Sequence, residues 1–175
     1  TMINVFNGST SLEYVDLPDQ MITLDGGFSG CTSLKSIALP SGITSISTRM
    51  FRECDSLREI VIPEGVTTIE RYAFEDCDNL ESITLPSTLT AIDYTAFELS
   101  YNINEVHLAK INTLFDLKPY ALGYMLRSIN SGYDLYIGDE PAREVVTPEG
   151  YTEISSYTFL NIKNIDKITI SEGVT

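Results

Sequence analysis

The sequence predicts an α/β repeat solenoid: a coil with a parallel β-sheet along one face, short helical or irregular returns, and one interrupted repeat carrying an inserted helix. Three observations predict it. Phe28, Phe51, Phe74 and Phe97 recur at intervals of 23 residues, and so do Cys31, Cys54 and Cys77, Leu34, Leu57 and Leu80, and Pro40, Pro63 and Pro86. Self-similarity at a fixed period of this size marks a repeat architecture. Each unit carries one short strand signal closed by proline, as in Ile60 to Pro63. A single unit also has too few inward apolar side chains to offset the entropy of ordering its own backbone, so units must stack and share a core.

The unit from Phe51 to Phe74 shows each element in order. Its template is F-x-x-C-x-x-L-x-x-I-x-[LI]-P-x-G-[VI]-T-x-I-x-x-x-[AM]-F. The alternation around Ile60 and Ile62 predicts a strand with those two side chains inward and Glu59 and Val61 outward. Pro63 has no N–H to give a ladder, so the strand ends there. Gly65 accommodates the turn that follows. Val66 and Ile69 return apolar groups to the interior, and Tyr72-Ala73-Phe74 predicts a short return segment, helical or irregular, whose phenylalanine plugs the core. Strands about 4.8 Å apart set the rise per unit.

The pattern extends in both directions. Phe6, Leu12, Val15, Leu17 and Pro18 occupy the same slots upstream. Downstream, Phe97, Ile103, Val106 and Leu108 open another unit, with Ser100 in the cysteine slot and Thr88 where Gly42 and Gly65 stand in other units. The period then breaks over roughly residues 110–141 and returns at Val145, Pro148, Gly150, Ile154 and Phe159. Within the break, Pro119 suits a first helical turn, Leu122, Met125, Leu126 and Ile129 share a face, and Gly132 can end the helix. One domain, residues 1–175, of about seven rungs is expected, its last repeat incomplete at Ser171 to Thr175.

The F-x-x-C-x-x-L-x-x-[IV]-x-[IL]-P runs starting at Phe28, Phe51 and Phe74, with G-[VI]-T-x-I after the first two, resemble the leucine-rich repeats of the BspA-like class. That class comprises bacterial surface proteins and is also found in some protozoan parasites. The resemblance implies a right-handed leucine-rich-repeat coil in a secreted or cell-surface, extracellular, non-enzymatic protein used for protein binding and adhesion.

Composition narrows the chemistry. Eleven Lys and Arg against 25 Asp and Glu give a net charge of −14, which disfavours binding to nucleic acid or to an anionic membrane surface. No apolar run is long enough to span a bilayer, so no direct membrane insertion is expected. The three cysteines share a slot that other units fill with Ser9, Ser100 and Ile162, so they are expected to be buried structural thiols. No metal, cofactor or catalytic residue is assigned. His107 occupies an outward strand slot as a solvated side chain with no nucleophile motif near it. The acidic pairs lack the spacing of a calcium loop. Asn7-Gly8-Ser9 fits a short glycosylation sequon.

The outward strand positions form the candidate binding face: Tyr14, Asp16, Glu59, Val61, Thr84, Glu105, His107, Glu144 and Val146. One column is expected to run through Glu105 to Glu144, the next through His107 to Val146. Tyr120, Tyr124, Tyr133 and Tyr136 are candidate contacts on the insertion. A protein or matrix ligand is the expected partner, with glycan binding by an accessory module of a larger surface enzyme as the alternative. Self-association through the unfinished C-terminal end is also expected.

Overall fold

The computed structural model describes residues 2–117 and 132–174. In chain order the elements are β1 (Met2–Ile3), β2 (Leu24–Asp25), β3 (Ser45–Ile46), β4 (Glu59–Val61), β5 (Thr68–Ile69), β6 (Ser82–Leu85), β7 (Ala91–Ile92), β8 (Glu105–Leu108), α1 (Asn112–Asp116), β9 (Asp134–Ile137), β10 (Glu140–Pro141), β11 (Glu144–Val146) and β12 (Lys167–Thr169). The chain coils through about five turns of parallel-stranded solenoid with little helix.

The main sheet has the order β10-β9-β8-β6-β4, with β4, β6, β8 and β9 parallel. Ile60 pairs with Ile83, and Ile83 with Val106, so equivalent residues of successive units face one another. The predicted alternation holds: Ile60 is 2% exposed and Val61 61%.

A second parallel sheet, β3-β5-β7, runs along the return path, where the sequence suggested only apolar contacts. The T-x-I stretch of each unit builds it: Ile46, Ile69 and Ile92 point into the core, and their backbones pair with the next coil. Thr88 fits this path without glycine, because its hydroxyl accepts from the Gly65 N–H at 3.0 Å and donates to the Val66 carbonyl at 2.8 Å.

A column of rings runs through the core. Phe6, Phe28, Phe51, Phe74 and Phe97 stack nearly parallel, with centroids 5.3, 5.5, 5.4 and 5.3 Å apart. The segments around them are turns, the irregular of the two forms expected for the returns. Left-handed residues recur four apart, at Arg49 and Glu53, Tyr72 and Asp76, and Tyr157 and Asn161, and a left-handed residue cannot continue an α-helix.

Beside the rings, the cysteines form a hydrogen-bonded ladder. The thiols of Cys31, Cys54 and Cys77 donate to the carbonyls of Phe6, Phe28 and Phe51, at 3.1, 3.2 and 3.0 Å. Ser100 takes the slot in the next unit, donating to the Phe74 carbonyl at 2.6 Å. All three thiols are free and buried. Burial pushes Cys31 and Cys54 up and raises Cys77 from 9.0 to about 12. Their folded pKa values therefore exceed their unfolded ones. The corresponding stability is fully present below pH about 9 and falls as pH climbs from there toward 12, where the unfolded chain binds fewer protons. The urea midpoint should drop between pH 8 and pH 11 by more in the native protein than in a Cys77→Ser variant. Equal drops would refute the role of the thiol.

The two ends depart from the predicted slab of seven strands. Tyr14 and Asp16, like Ser36 and Ala38 of the next unit, lie outside any strand, and Ile37 and Leu39 are only half-buried. The sheet therefore starts at β4. Toward the C-terminus it resumes earlier than the period suggests. Glu105 pairs with Asp134 and His107 with Tyr136, so β9 fills the next rung from inside the segment taken as irregular. A hairpin to β10 follows, and β11 pairs only with β12, in a sheet of its own. The buried Asn164 joins the two parts, accepting from the Leu135 N–H at 2.9 Å and donating to its carbonyl at 2.7 Å.

The helix expected from Pro119 to Gly132 falls almost wholly outside the described residues. A different short helix, α1, precedes it and buries Leu114 and Phe115. Phe115 meets Phe159 edge-on at 6.0 Å. The hydroxyl of Tyr151 donates to the Asp116 carboxylate, tying the helix to the last units.

Candidate binding face

The outward positions of the main sheet make two columns. Glu59, Ser82, Glu105 and Asp134 stand in register across β4, β6, β8 and β9, and Val61, Thr84, His107 and Tyr136 make the adjacent column. The inward residues between them are packed in the core, so this surface rests on a rigid support.

Of the residues expected on one face, the structure brings together Glu59, Val61, Thr84, Glu105 and His107. Tyr14 and Asp16 lie apart on the first rung, outside any strand, where the Lys35 ammonium sits 5.6 Å from the Tyr14 ring. Glu144 and Val146 do not continue the columns. They pair with Lys167 and Thr169, and Asp134 and Tyr136 hold the places assigned to them. The reason is the β9–β10 hairpin, which consumes the length that a regular unit would have used. The alternation in Asp134-Leu135-Tyr136-Ile137 was the signal available in the sequence for this strand.

The insertion tyrosines separate in the same way. Tyr120 and Tyr124 lie outside the described residues. Tyr136 belongs to the sheet face, whereas Tyr133 is 0% exposed and cannot make a surface contact. Among the described residues its hydroxyl has no hydrogen-bond partner, and burial raises its pKa. Deleting that buried, unsatisfied group should help: Tyr133→Phe is expected to raise the unfolding free energy by about 1 kcal/mol. A urea titration showing a loss of that size would mean the hydroxyl is satisfied.

His107 is not simply solvated. Its ring stacks on Tyr136 with centroids 4.5 Å apart and planes at 10°, and its side chain is 23% exposed. Nδ1 lies 3.2 Å from the Gly138 carbonyl, an acceptor, so Nδ1 carries the proton. Nε2 is 3.6 Å from the Glu105 carboxylate. The imidazole thereby links the sheet to the turn of the β9–β10 hairpin. Among the described residues its polar and ring contacts are the Gly138 carbonyl, the Glu105 carboxylate and the Tyr136 ring.

The edges of the columns carry ion pairs that cross from one coil to the next: Lys35 with Glu13 at 2.6 Å and Arg58 with Glu81 at 3.1 Å. Exposed pairs of this kind add little stability. Their effect here is to neutralise the nearest cations. The sequon asparagine is engaged as well, since Asn7 Oδ1 accepts from the N–H groups of Gly27 and Ser29, both at 3.1 Å. Among the described residues no three His, Cys, Asp or Glu side chains gather as a metal-ligating group, and no helix is long and apolar enough to cross a membrane.

Residues 2–124 and 135–175 match, in six copies, the pattern described as the BspA type leucine-rich repeat region. The chain belongs to this family. Solved structures of bacterial repeat proteins share the coil. A T. pallidum leucine-rich repeat protein is 25% identical with a TM-score of 0.60, the match covering 87% of this chain and 64% of that one. A leucine-rich repeat protein from Bacteroides ovatus is 24% identical with a TM-score of 0.58, covering 97% of this chain and 50% of that one. A leucine rich cell surface protein from Faecalibacterium prausnitzii is 26% identical with a TM-score of 0.50, covering 55% and 32%. This BspA-type chain thus spans between a third and two-thirds of the length of those proteins. No functionally curated protein matches its sequence.

Proposed function

We propose that this BspA-type repeat array is a non-catalytic protein-binding and adhesion scaffold of a secreted or cell-surface bacterial protein, and that the outward face of the main sheet makes the contact. One observation carries the reading. Four coils hold the columns from Glu59 to Asp134 and from Val61 to Tyr136 in fixed register, giving a preorganised surface. The cell-surface protein of Faecalibacterium prausnitzii supports the location by likeness. The test is binding to immobilised extracellular-matrix proteins. Thr84→Arg, in the middle of the face, is expected to weaken binding about tenfold, and Glu98→Arg, on the return path, by less than about twofold. Equal binding by both variants would exclude the sheet face.

A carbohydrate-binding or accessory module of a larger surface enzyme is the second reading, favoured by the His107–Tyr136 stack beside the Glu105 carboxylate. Glycan-array binding lost in Tyr136→Ala would select it over the first.

A further inference from the structure

The return path carries a groove of its own. Two cavities of about 410 and 400 Å³ lie against the second sheet and meet at Glu70. Ser45 lines the first, and Thr68 and Ala91 line the second. These three residues stand in register across β3, β5 and β7, so the groove crosses the strands and runs along the coil axis. With Thr23 at its start it spans four successive units.

Its chemistry is set by side chains that the fold leaves unused. Elsewhere on the return path hydroxyls hold the neighbouring coil: Thr67 donates to the Thr44 carbonyl at 3.3 Å and Thr90 to the Thr67 carbonyl at 3.1 Å. The hydroxyls of Thr23, Ser45 and Thr68 have no hydrogen-bond partner among the described residues. Ser47, on the wall of the first cavity, is only 7% exposed. Its oxygen accepts from the Gly26 N–H at 2.7 Å, and its proton has no acceptor among the described residues. A buried donor at a cavity wall calls for an acceptor inside the cavity. Glu70 and Asp93 face the same groove and are each held by one carboxylate oxygen, to the Thr48 N–H at 3.0 Å and the Thr95 N–H at 2.9 Å. The second oxygen of each is left to accept from a ligand. Arg71 at the rim is one cation beside Asp25, Glu70 and Asp93, so the groove stays acidic and disfavours a polyanion.

Donors and acceptors in close alternation suit a polyol. Spacing separates a glycan from a peptide. Successive coils advance by 5.3 to 5.5 Å at the ring column. An extended peptide laid along the axis repeats every two residues, about 6.6 Å, and falls out of step with the coils. A β-1,4-linked hexose chain is straight and advances by close to one coil per sugar.

We propose that this groove binds an extended, uncharged β-1,4-linked glycan, one sugar to a coil, its hydroxyls meeting Ser45, Ser47 and Thr68 and the carboxylates of Glu70 and Asp93. The site takes up the carbohydrate reading on a face separate from the His107–Tyr136 stack.

The probe is cellotetraose, titrated into the full chain and followed by amide NMR shifts, with cellobiose and α-linked maltotetraose for comparison. Shifts are expected at Ser45, Ser47, Thr68 and Ala91, with each comparison sugar at least about tenfold weaker, or 1.4 kcal/mol. Ser45→Ala with Thr68→Ala should weaken cellotetraose about tenfold, whereas Thr68→Ser, which keeps a hydroxyl, should stay within about twofold. Ala91→Tyr, which fills the floor, should block it. Thr84→Arg and Tyr136→Ala, both on the main sheet, should leave it unchanged. All variants are checked for unchanged melting. Equal binding of maltotetraose, or full binding by the double variant, would overturn the proposal. Binding lost in Tyr136→Ala but kept in Ala91→Tyr would place the glycan on the main sheet and overturn the groove. Groove shifts with a capped Gly-Thr-Lys-Thr-Gly peptide and none with cellotetraose would make it a protein site and overturn the glycan. None of these outcomes alters the matrix-binding comparison of Thr84→Arg with Glu98→Arg, which tests the main sheet separately.

Discussion

Ile60→Asp is expected to unfold several coils at room temperature, whereas Glu59→Ala should shift the urea midpoint almost imperceptibly. The two residues are neighbours on β4, and only their direction differs. Ile60 is 2% exposed and paired with Ile83, inside a core that continues from Leu24 to Val145. An aspartate there loses about 2 kcal/mol of apolar burial. It also strands a carboxylate where no cation reaches it, at a further cost of several kcal/mol. Against a total stability of about 5–15 kcal/mol, that sum removes most of the folded state. The Glu59 side chain is exposed and without a partner among the described residues, so its truncation should stay within about 0.5 kcal/mol. Circular dichroism and urea titration read both. Equal, small effects would mean that the inward and outward faces are misassigned.

Phe51→Ala is the second large effect. The Phe51 ring lies between Phe28 at 5.5 Å and Phe74 at 5.4 Å and is fully buried. Removing it leaves a cavity bounded by two rings that their own backbones hold in place, since Phe28 N–H donates to Met50 and Phe74 N–H to Ala96. Such a site collapses poorly, and the loss should be about 3–5 kcal/mol. Phe6 stacks on Phe28 alone and is only half-buried, so Phe6→Ala should lose roughly half as much. Urea midpoints that fall equally for the two variants would show that the rings do not act as one shared column.

The return turns show how local sequence and shared packing divide the work. The template placed a phenylalanine and a small residue together near Phe74, and these are buried as expected, with Ala73 and Phe74 both at 0% exposure. Of the helical and irregular forms open to this return, paired left-handed residues, Tyr72 and Asp76, are found, because the turn's N–H groups reach the next coil: Phe74 donates to Ala96 and Asp76 to Glu98. A helix would have kept those donors for itself. Hydrogen bonds between coils outcompete hydrogen bonds within one.

The sequence alone determined the repeat, the inward isoleucines, the ring column and the structural thiols. It could do so because residues at the same slot of successive units touch one another, so a period along the chain is a contact in space. Only the tertiary structure decided where the sheet begins and breaks. The alternation from Asp134 to Ile137 marks a strand, but without a period it has no slot; only pairing with β8 settles that Asp134 and Tyr136 take the places of Glu144 and Val146 on the face. Strand alternation puts Tyr133 and Tyr136 on opposite faces, and the pairing of Leu135 with the buried Val106 fixes Tyr133 as the inward one.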